Sequence, residues 1–443
     1  MTVRMRFRTA GMGVALLALP FVPTPQAQTA AAQHWVATWG TAQQSYRAAA
    51  AAGGGSPPPA PATPPPPAPA PTGTQRRFGI PAALPGLRNQ SVRMIVRSSI
   101  GGTQVRIRLS QAFGAPAVTV GAAHIALRST GAGIAAGTDR PLTFSGQPSA
   151  VIYAGQTVVS DPVALRVPPL SDVAVSLFFP GETGPPTSHT FGLRPTYVAN
   201  EGDATAAADW PDVAATKESY YWLTGVDVMA PADAFALITF GDSITDGDQS
   251  TPDTSGMWPA VLASRLQASR ATASIGVVNA GISGNRVLGD NTSALARLTR
   301  DVLSVPGVRW MTLLEGINDI TAATRSGQAG ASFSADTLIA AYRQIIEIAH
   351  LQGVRVIGGT LTPYGGSNVF TEQGESIRQA VNAWIRSSGA FDAVVDFDAA
   401  TRDLTAPSRF RAEADSPDLL HPANPGYALM ANAVDLRVFA RRR

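Results

Sequence analysis

Between about residues 90 and 200, apolar side chains recur at every second position. Val105, Ile107 and Leu109 alternate with Arg106 and Arg108, and Val173, Val175 and Leu177 alternate with Ala174 and Ser176. Period-two runs of this kind predict half-buried strands, and Gly101-Gly102, Gly114-Ala115-Pro116 and Pro168-Pro169 separate them as turns. The pattern predicts an all-β sandwich, jelly-roll-like, over residues 31–230. His34-Trp35-Val36-Ala37-Thr38-Trp39-Gly40 alternates as well and is expected to join this sheet. The intervening segment 48–74 holds alanines, Gly53-Gly54-Gly55 and a proline-rich run from Pro57 to Pro71. Such composition cannot build a packed core, so it reads as an extended insertion within the β domain.

From about residue 232 the period changes. Apolar runs at 235–240, 275–280, 309–315, 354–361 and 392–397 predict five strands. Helices are expected near 257–268, 294–304, 334–351, 373–387 and 425–440. In the third of these, Leu338, Tyr342, Ile345, Ile346 and Ala349 form one apolar face, and Gly353 supplies a stop. Alternating strands and helices predict a parallel sheet covered on both faces, a three-layer α/β/α domain over 232–443. Five strands fit a flavodoxin-like order, 2-1-3-4-5, with the switch point beside strand one.

Composition narrows the classes. The chain has 443 residues, a net charge of +3 and no cysteine. Lys217 is its only lysine, and the arginines are scattered apart from Arg441, Arg442 and Arg443. No basic stripe interleaved with aromatics appears, so nucleic acid is not an expected partner. Arg4, Arg6 and Arg8, followed by the apolar run Gly11 to Val22, read as a signal peptide over 1–30, too short to span a bilayer. A secreted or periplasmic protein without disulfides or a stable membrane anchor is expected.

The candidate chemistry sits at strand ends. Phe240-Gly241-Asp242-Ser243-Ile244-Thr245-Asp246-Gly247 follows the first strand of the α/β domain and puts a serine hydroxyl where open sheets bind ligands. Asp418-Leu419-Leu420-His421 places a carboxylate three residues before an imidazole. The carboxylate would hold Nδ1–H and leave Nε2 as a base. Asp415 lies three residues earlier and is the alternative acid. Asn279-Ala280-Gly281-Ile282-Ser283-Gly284-Asn285 and Gly316-Ile317-Asn318-Asp319 follow the next two strands and offer amide donors for an oxyanion. Asp242 is expected to bond amides around its turn. His34, His124, His189 and His350 read as structural or surface residues. No His/Cys/carboxylate cluster has metal-ligand spacing, so neither a metal nor another cofactor is expected.

These four blocks resemble the SGNH (GDSL) hydrolase family. The resemblance covers the second half of the chain and holds every signature block in order. It implies that Ser243 is the nucleophile, that Asp418 and His421 complete a triad, and that Ser243, Gly284 and Asn318 line the oxyanion hole. The α/β-hydrolase elbow, G-x-S-x-G, fits less well, because Thr245 replaces its second glycine. Some exported SGNH esterases carry an N-terminal β domain opening with a similar Trp-rich strand. The resemblance implies an exported serine esterase acting on a small-molecule or polysaccharide ester, with acetyl groups on carbohydrate as first choice. A lipase or lysophospholipase is the alternative within the family. A non-catalytic glycan-binding protein is the alternative outside it, one that a substitution at Ser243, Asn318 or His421 would have favoured.

Overall fold

The computed structural model describes residues 1–3, 5, 33–45, 84–114, 116–326 and 333–439. Most of the expected signal peptide and the proline-rich insertion lie outside these residues. Contacts divide the chain into Met1–Ala32 and Gln33–Arg443, and the second unit holds all the strands and helices that follow.

Its first half is antiparallel β. One sheet runs in the order Gln33–Gly40, Leu223–Pro231, Gly102–Ser110, with Thr157–Val159 and Val163–Val167 both pairing with the last of these. A second sheet runs Val213–Lys217, Thr196–Glu201, Gln90–Arg97, Asp172–Phe179, Ala122–Leu127, Arg140–Pro141. The Trp35–Trp39 strand does join a sheet, paired along Leu223–Pro231. That central partner escaped the period-two search. Almost all its residues are buried, yet Thr224, Gly225 and Asp227 interrupt its apolar positions, so neither a clean alternation nor an apolar run marks it.

The second half is the parallel α/β unit. Strands β1 (Phe235–Gly241), β2 (Ile275–Gly281), β3 (Val308–Leu314), β4 (Arg355–Gly359) and β5 (Ala393–Val395) pair in the order β2-β1-β3-β4-β5. This is the flavodoxin-like order expected from the sequence. The helices are α1 (Ser243–Asp246), α2 (Trp258–Gln267), α3 (Ala294–Leu298), α4 (Ile317–Arg325), α5 (Ala335–Leu351), α6 (Glu372–Ser387), α7 (Phe397–Thr401) and α8 (Asn424–Ala433). α2, α7 and α8 pack together on the sheet, and α3, α4, α5 and α6 form a second group.

Three helical expectations need amendment. α3 passes into a π-helical turn, Thr299–Leu303, rather than continuing as one α-helix. α8 stops at Ala433 because Val434 is extended, and a 3₁₀ turn, Leu436–Phe439, follows. α1, α4 and α7 were not expected at all. Each starts within three residues of a strand end, where the sequence reads as a loop.

The β sheets and the α/β sheet share one continuous core. Ala37 N–H donates to Pro306 O at 3.0 Å, and Val277 N–H donates to Ser99 Oγ at 2.9 Å. Gly276 is obligatory here, since a Cβ would lie 2.6 Å from Ala37 O.

Candidate active site

Strand β1 is buried throughout and is central in its sheet, so its carboxyl end is fixed by neighbours on both sides. The chain leaves it through Gly241, where a Cβ would stand 2.3 Å from both Leu314 O and Thr245 Oγ1. Asp242 caps α1: its carboxylate accepts the Ile244 N–H at 3.0 Å, as expected of a turn residue. Burial, outweighing these donors, pushes the Asp242 carboxyl up to about 7. Gly247, at φ 110°, ends α1 after one turn. Ser243 therefore heads a short helix on a rigid strand end.

His421 reaches that helix from the loop before α8. Its Nε2 lies 2.7 Å from Ser243 Oγ, and its Nδ1 lies 2.7 Å from Asp418 Oδ2. The other Asp418 oxygen accepts from Ser416 Oγ at 2.8 Å and from the backbone amides of Leu420 and His421 at 2.9 Å each. Burial raises the Asp418 pKa, but the His421 hydrogen bond and charge, with these amides, overcome it and hold it at about 2. Asp415 binds only its neighbour's amide, Ser416 N–H, and does not contact the imidazole.

The expected oxyanion donors lie in the segments that follow β2 and β3. Ile282 O accepts the Asn285 N–H at 3.0 Å, closing a turn in which Gly284 has φ +78°, as the third position of a type II turn requires. Ile282 N–H donates to Gly241 O at 3.0 Å, which ties this turn to the end of β1. Asn318 Nδ2 donates one hydrogen to Asn285 O at 2.8 Å, leaving the second free to point elsewhere. The Ser243 and Gly284 amides make no hydrogen bond among the described residues. Gly284 and Asn318 line one open cavity together with Arg286, Thr321, Arg325 and Ser326.

The surroundings of the site hold charged groups to which the sequence analysis gave no role. Asp248, just beyond α1, places a carboxylate oxygen 3.9 Å from His421 Nε2. Burial works against the imidazolium, yet the Asp418 hydrogen bond and the charges of Asp248, Asp418 and Asp242 raise the His421 pKa. Arg297, fully buried on α3, donates to Asn285 Oδ1 at 2.8 Å, Ala280 O at 2.7 Å and Gly241 O at 2.9 Å. One guanidinium thus pins both strand ends and the donor turn. Its Nη2 lies 3.6 Å from Glu315, whose pKa rises well above normal through burial and the nearby Asp242. Asp246 and His189 form a buried pair at 3.0 Å. His124 and His350 also pair with carboxylates, Asp139 and Asp392, far along the chain from each histidine.

A parallel α/β/α sheet with Ser, His and Asp aligned at its carboxyl edge defines a hydrolase domain. Residues 239–429 match the model of the GDSL-like Lipase/Acylhydrolase family, which marks this α/β unit as a hydrolase domain. Similar solved structures include a lipolytic protein of the G-D-S-L family from Desulfitobacterium hafniense, 21% identical over 45% of this chain and 96% of that one, with a TM-score of 0.34. A GDSL-like lipase from Bacteroides thetaiotaomicron is 19% identical over 45% and 84%, with a TM-score of 0.33. A mutant acetyl-xylooligosaccharide esterase from Geobacillus Stearmophilus is 24% identical over 47% and 95%, with a TM-score of 0.37. No curated protein matches the chain.

Proposed function

We propose that this protein is an exported serine esterase that removes short acyl groups, such as acetyl, from carbohydrate esters. The observation that carries the mechanism is the unbroken line Asp418–His421–Ser243, with 2.7 Å at both hydrogen bonds. Asp418, ionised, fixes Nδ1–H, so Nε2 is the basic nitrogen. His421 takes the Ser243 proton as Oγ attacks the ester carbonyl carbon. The carbonyl oxygen becomes an oxyanion, which the Ser243 and Gly284 N–H groups and the free Asn318 N–H would bind. Collapse expels the alcohol, protonated by His421, and leaves an acyl-serine. Water, deprotonated by the same imidazole, then releases the acid and restores Ser243.

The polar surface around the donor turn supports a hydroxyl-rich leaving group. The shallow cavities there are lined by Gln44, Ser283, Asn285, Asp290, Asn291 and Thr292. Export rests on the basic and apolar pattern of residues 1–30, and among the described residues no helix is long and apolar enough to cross a membrane. An ester panel graded by chain length and leaving group tests the substrate. Highest kcat/KM on acetyl esters of sugars supports it, and a steady rise toward long acyl chains would replace it with the lipase alternative. Ser243→Ala tests the chemistry: residual activity above about a hundredth of wild type removes the triad, because losing a triad serine costs several powers of ten.

A further inference from the structure

We propose that His189, contributed by the β half of the molecule, is a positioning residue for the oxyanion turn and acts through Asp246. The inference rests on the triad and oxyanion assignment above.

His189 is buried, and both its ring nitrogens face acceptors. Nδ1 lies 2.9 Å from Ala42 O, and Nε2 lies 3.0 Å from Asp246 Oδ1. The other Asp246 oxygen accepts two hydrogens from Ser283, one from N–H and one from Oγ–H, at 2.9 Å each. An oxygen pair accepting from three directions is a carboxylate, so the ring carries both protons as an imidazolium. Every hydrogen of this buried pair has a partner, which is what makes burying the two charges tolerable.

The pair lies between the two halves of the catalytic apparatus. Asp246 ends the one-turn helix that Ser243 begins. Ser283 is the residue before Gly284 in the donor turn. One carboxylate therefore clamps the nucleophile helix to the turn that presents the Gly284 amide. Removing the imidazolium leaves that carboxylate buried and unpaired. It would rotate away or take up a proton, and in either case it loosens its hold on Ser283. His189 is itself fixed by the Trp-strand segment. Gln44 N–H donates to Ser188 O at 2.7 Å, and Thr190 N–H and Oγ1 donate to Gln44 Oε1 at 3.1 and 2.8 Å. The β half thus has a catalytic duty that its own surface does not reveal: it supplies the counter-charge that holds the oxyanion turn.

The test compares His189→Gln, His189→Asn and His189→Ala in the full chain, with kcat and KM for p-nitrophenyl acetate, thermal melting, and fluorophosphonate labelling of Ser243. A glutamine amide nitrogen reaches the Nε2 position and can still donate to Asp246, whereas an asparagine reaches only the Nδ1 position. The expected result is that Gln keeps kcat within about tenfold of wild type. Asn and Ala should lose about a hundredfold, the lower end of what one oxyanion donor is worth. KM should stay nearly constant, because the interaction lost is one made in the transition state. Adding Asp246→Asn to His189→Ala should cost little more, since both break one network. Asn restoring activity as well as Gln, or all three variants keeping wild-type kcat, overturns the inference. So does a kcat loss that merely follows the loss of melting temperature across the three. If wild type itself is not labelled at Ser243, the triad assignment fails instead; labelling of Ser243 together with a fully active His189→Ala sinks this inference alone.

Discussion

Asp418→Asn isolates tautomer control from everything else the loop does. In the wild type, Oδ1 accepts three hydrogen bonds, from Ser416 Oγ and from the amides of Leu420 and His421, while Oδ2 faces His421 Nδ1. Asparagine keeps an oxygen for the first three, so the loop retains its shape. Its NH₂, however, now meets Nδ1 and forces that nitrogen to accept. The ring proton moves to Nε2, which points a hydrogen at Ser243 Oγ instead of a lone pair. The comparable change in an established triad lowers kcat about 10⁴-fold, or about 5 kcal/mol in the barrier. A stability effect accompanies it. The Asp418 pKa falls from 3.8 to about 2 on folding, which is worth about 2 kcal/mol at neutral pH. Because the folded pKa is the lower one, this contribution is present above about pH 4 and is lost as the pH falls toward about 2. The assay is kcat/KM on p-nitrophenyl acetate for Asp418→Asn and Asp415→Asn, with melting curves at pH 7 and pH 3. Asp415→Asn should stay within a few fold of wild type, since Asp415 does not touch the imidazole. An Asp418→Asn enzyme retaining a tenth of wild-type activity, or an Asp415→Asn enzyme that is the weaker of the two, would refute the reasoning.

Asp248→Asn should shift the acid limb of the kcat/KM–pH profile to lower pH. Asp248 is one of the groups raising the His421 pKa, and only the neutral imidazole is a base; a limb that moves upward or stays in place excludes the effect. Gly284→Val should lower kcat sharply with a modest change in melting temperature. The site has open space for a side chain, but its φ of +78° costs a β-branched residue about 1–3 kcal/mol; full activity in Gly284→Val would remove the donor turn from the mechanism. Arg297→Met should destabilise the fold by about 3–5 kcal/mol, because it leaves Glu315 without its buried counter-charge and removes the donor to Asn285 Oδ1 and Ala280 O; unchanged thermal melting would show that the network is expendable.

The sequence carried the parts of this protein that depend on local order. Apolar runs of six to eight residues between helical stretches dictate a parallel sheet, and short right-handed crossovers leave few orders in which five such strands can pair, among them β2-β1-β3-β4-β5. Ser243, Asp418, His421, Gly284 and Asn318 were visible because each stands in a short motif at a strand or loop end. Spacing of three residues was enough to predict that Asp418 meets His421, since that contact is made within one loop. The remainder is made by residues far apart in the chain. His189 and Asp246 are 57 positions apart, and Arg106 and Asp227 are 121 apart, so no periodicity links them. Arg297 sits on a helix whose spacing gives no sign that a cation will lie beneath Phe240, its guanidinium carbon 4.0 Å from the ring centre. Leu223–Pro231 is buried along nearly its whole length between Gln33–Gly40 and Gly102–Ser110, neighbours more than a hundred positions away that only folding brings there. Burial decides these cases: a charged side chain that looks like solvated surface in the sequence becomes a fixed structural element once the chain closes over it and leaves it a single set of partners.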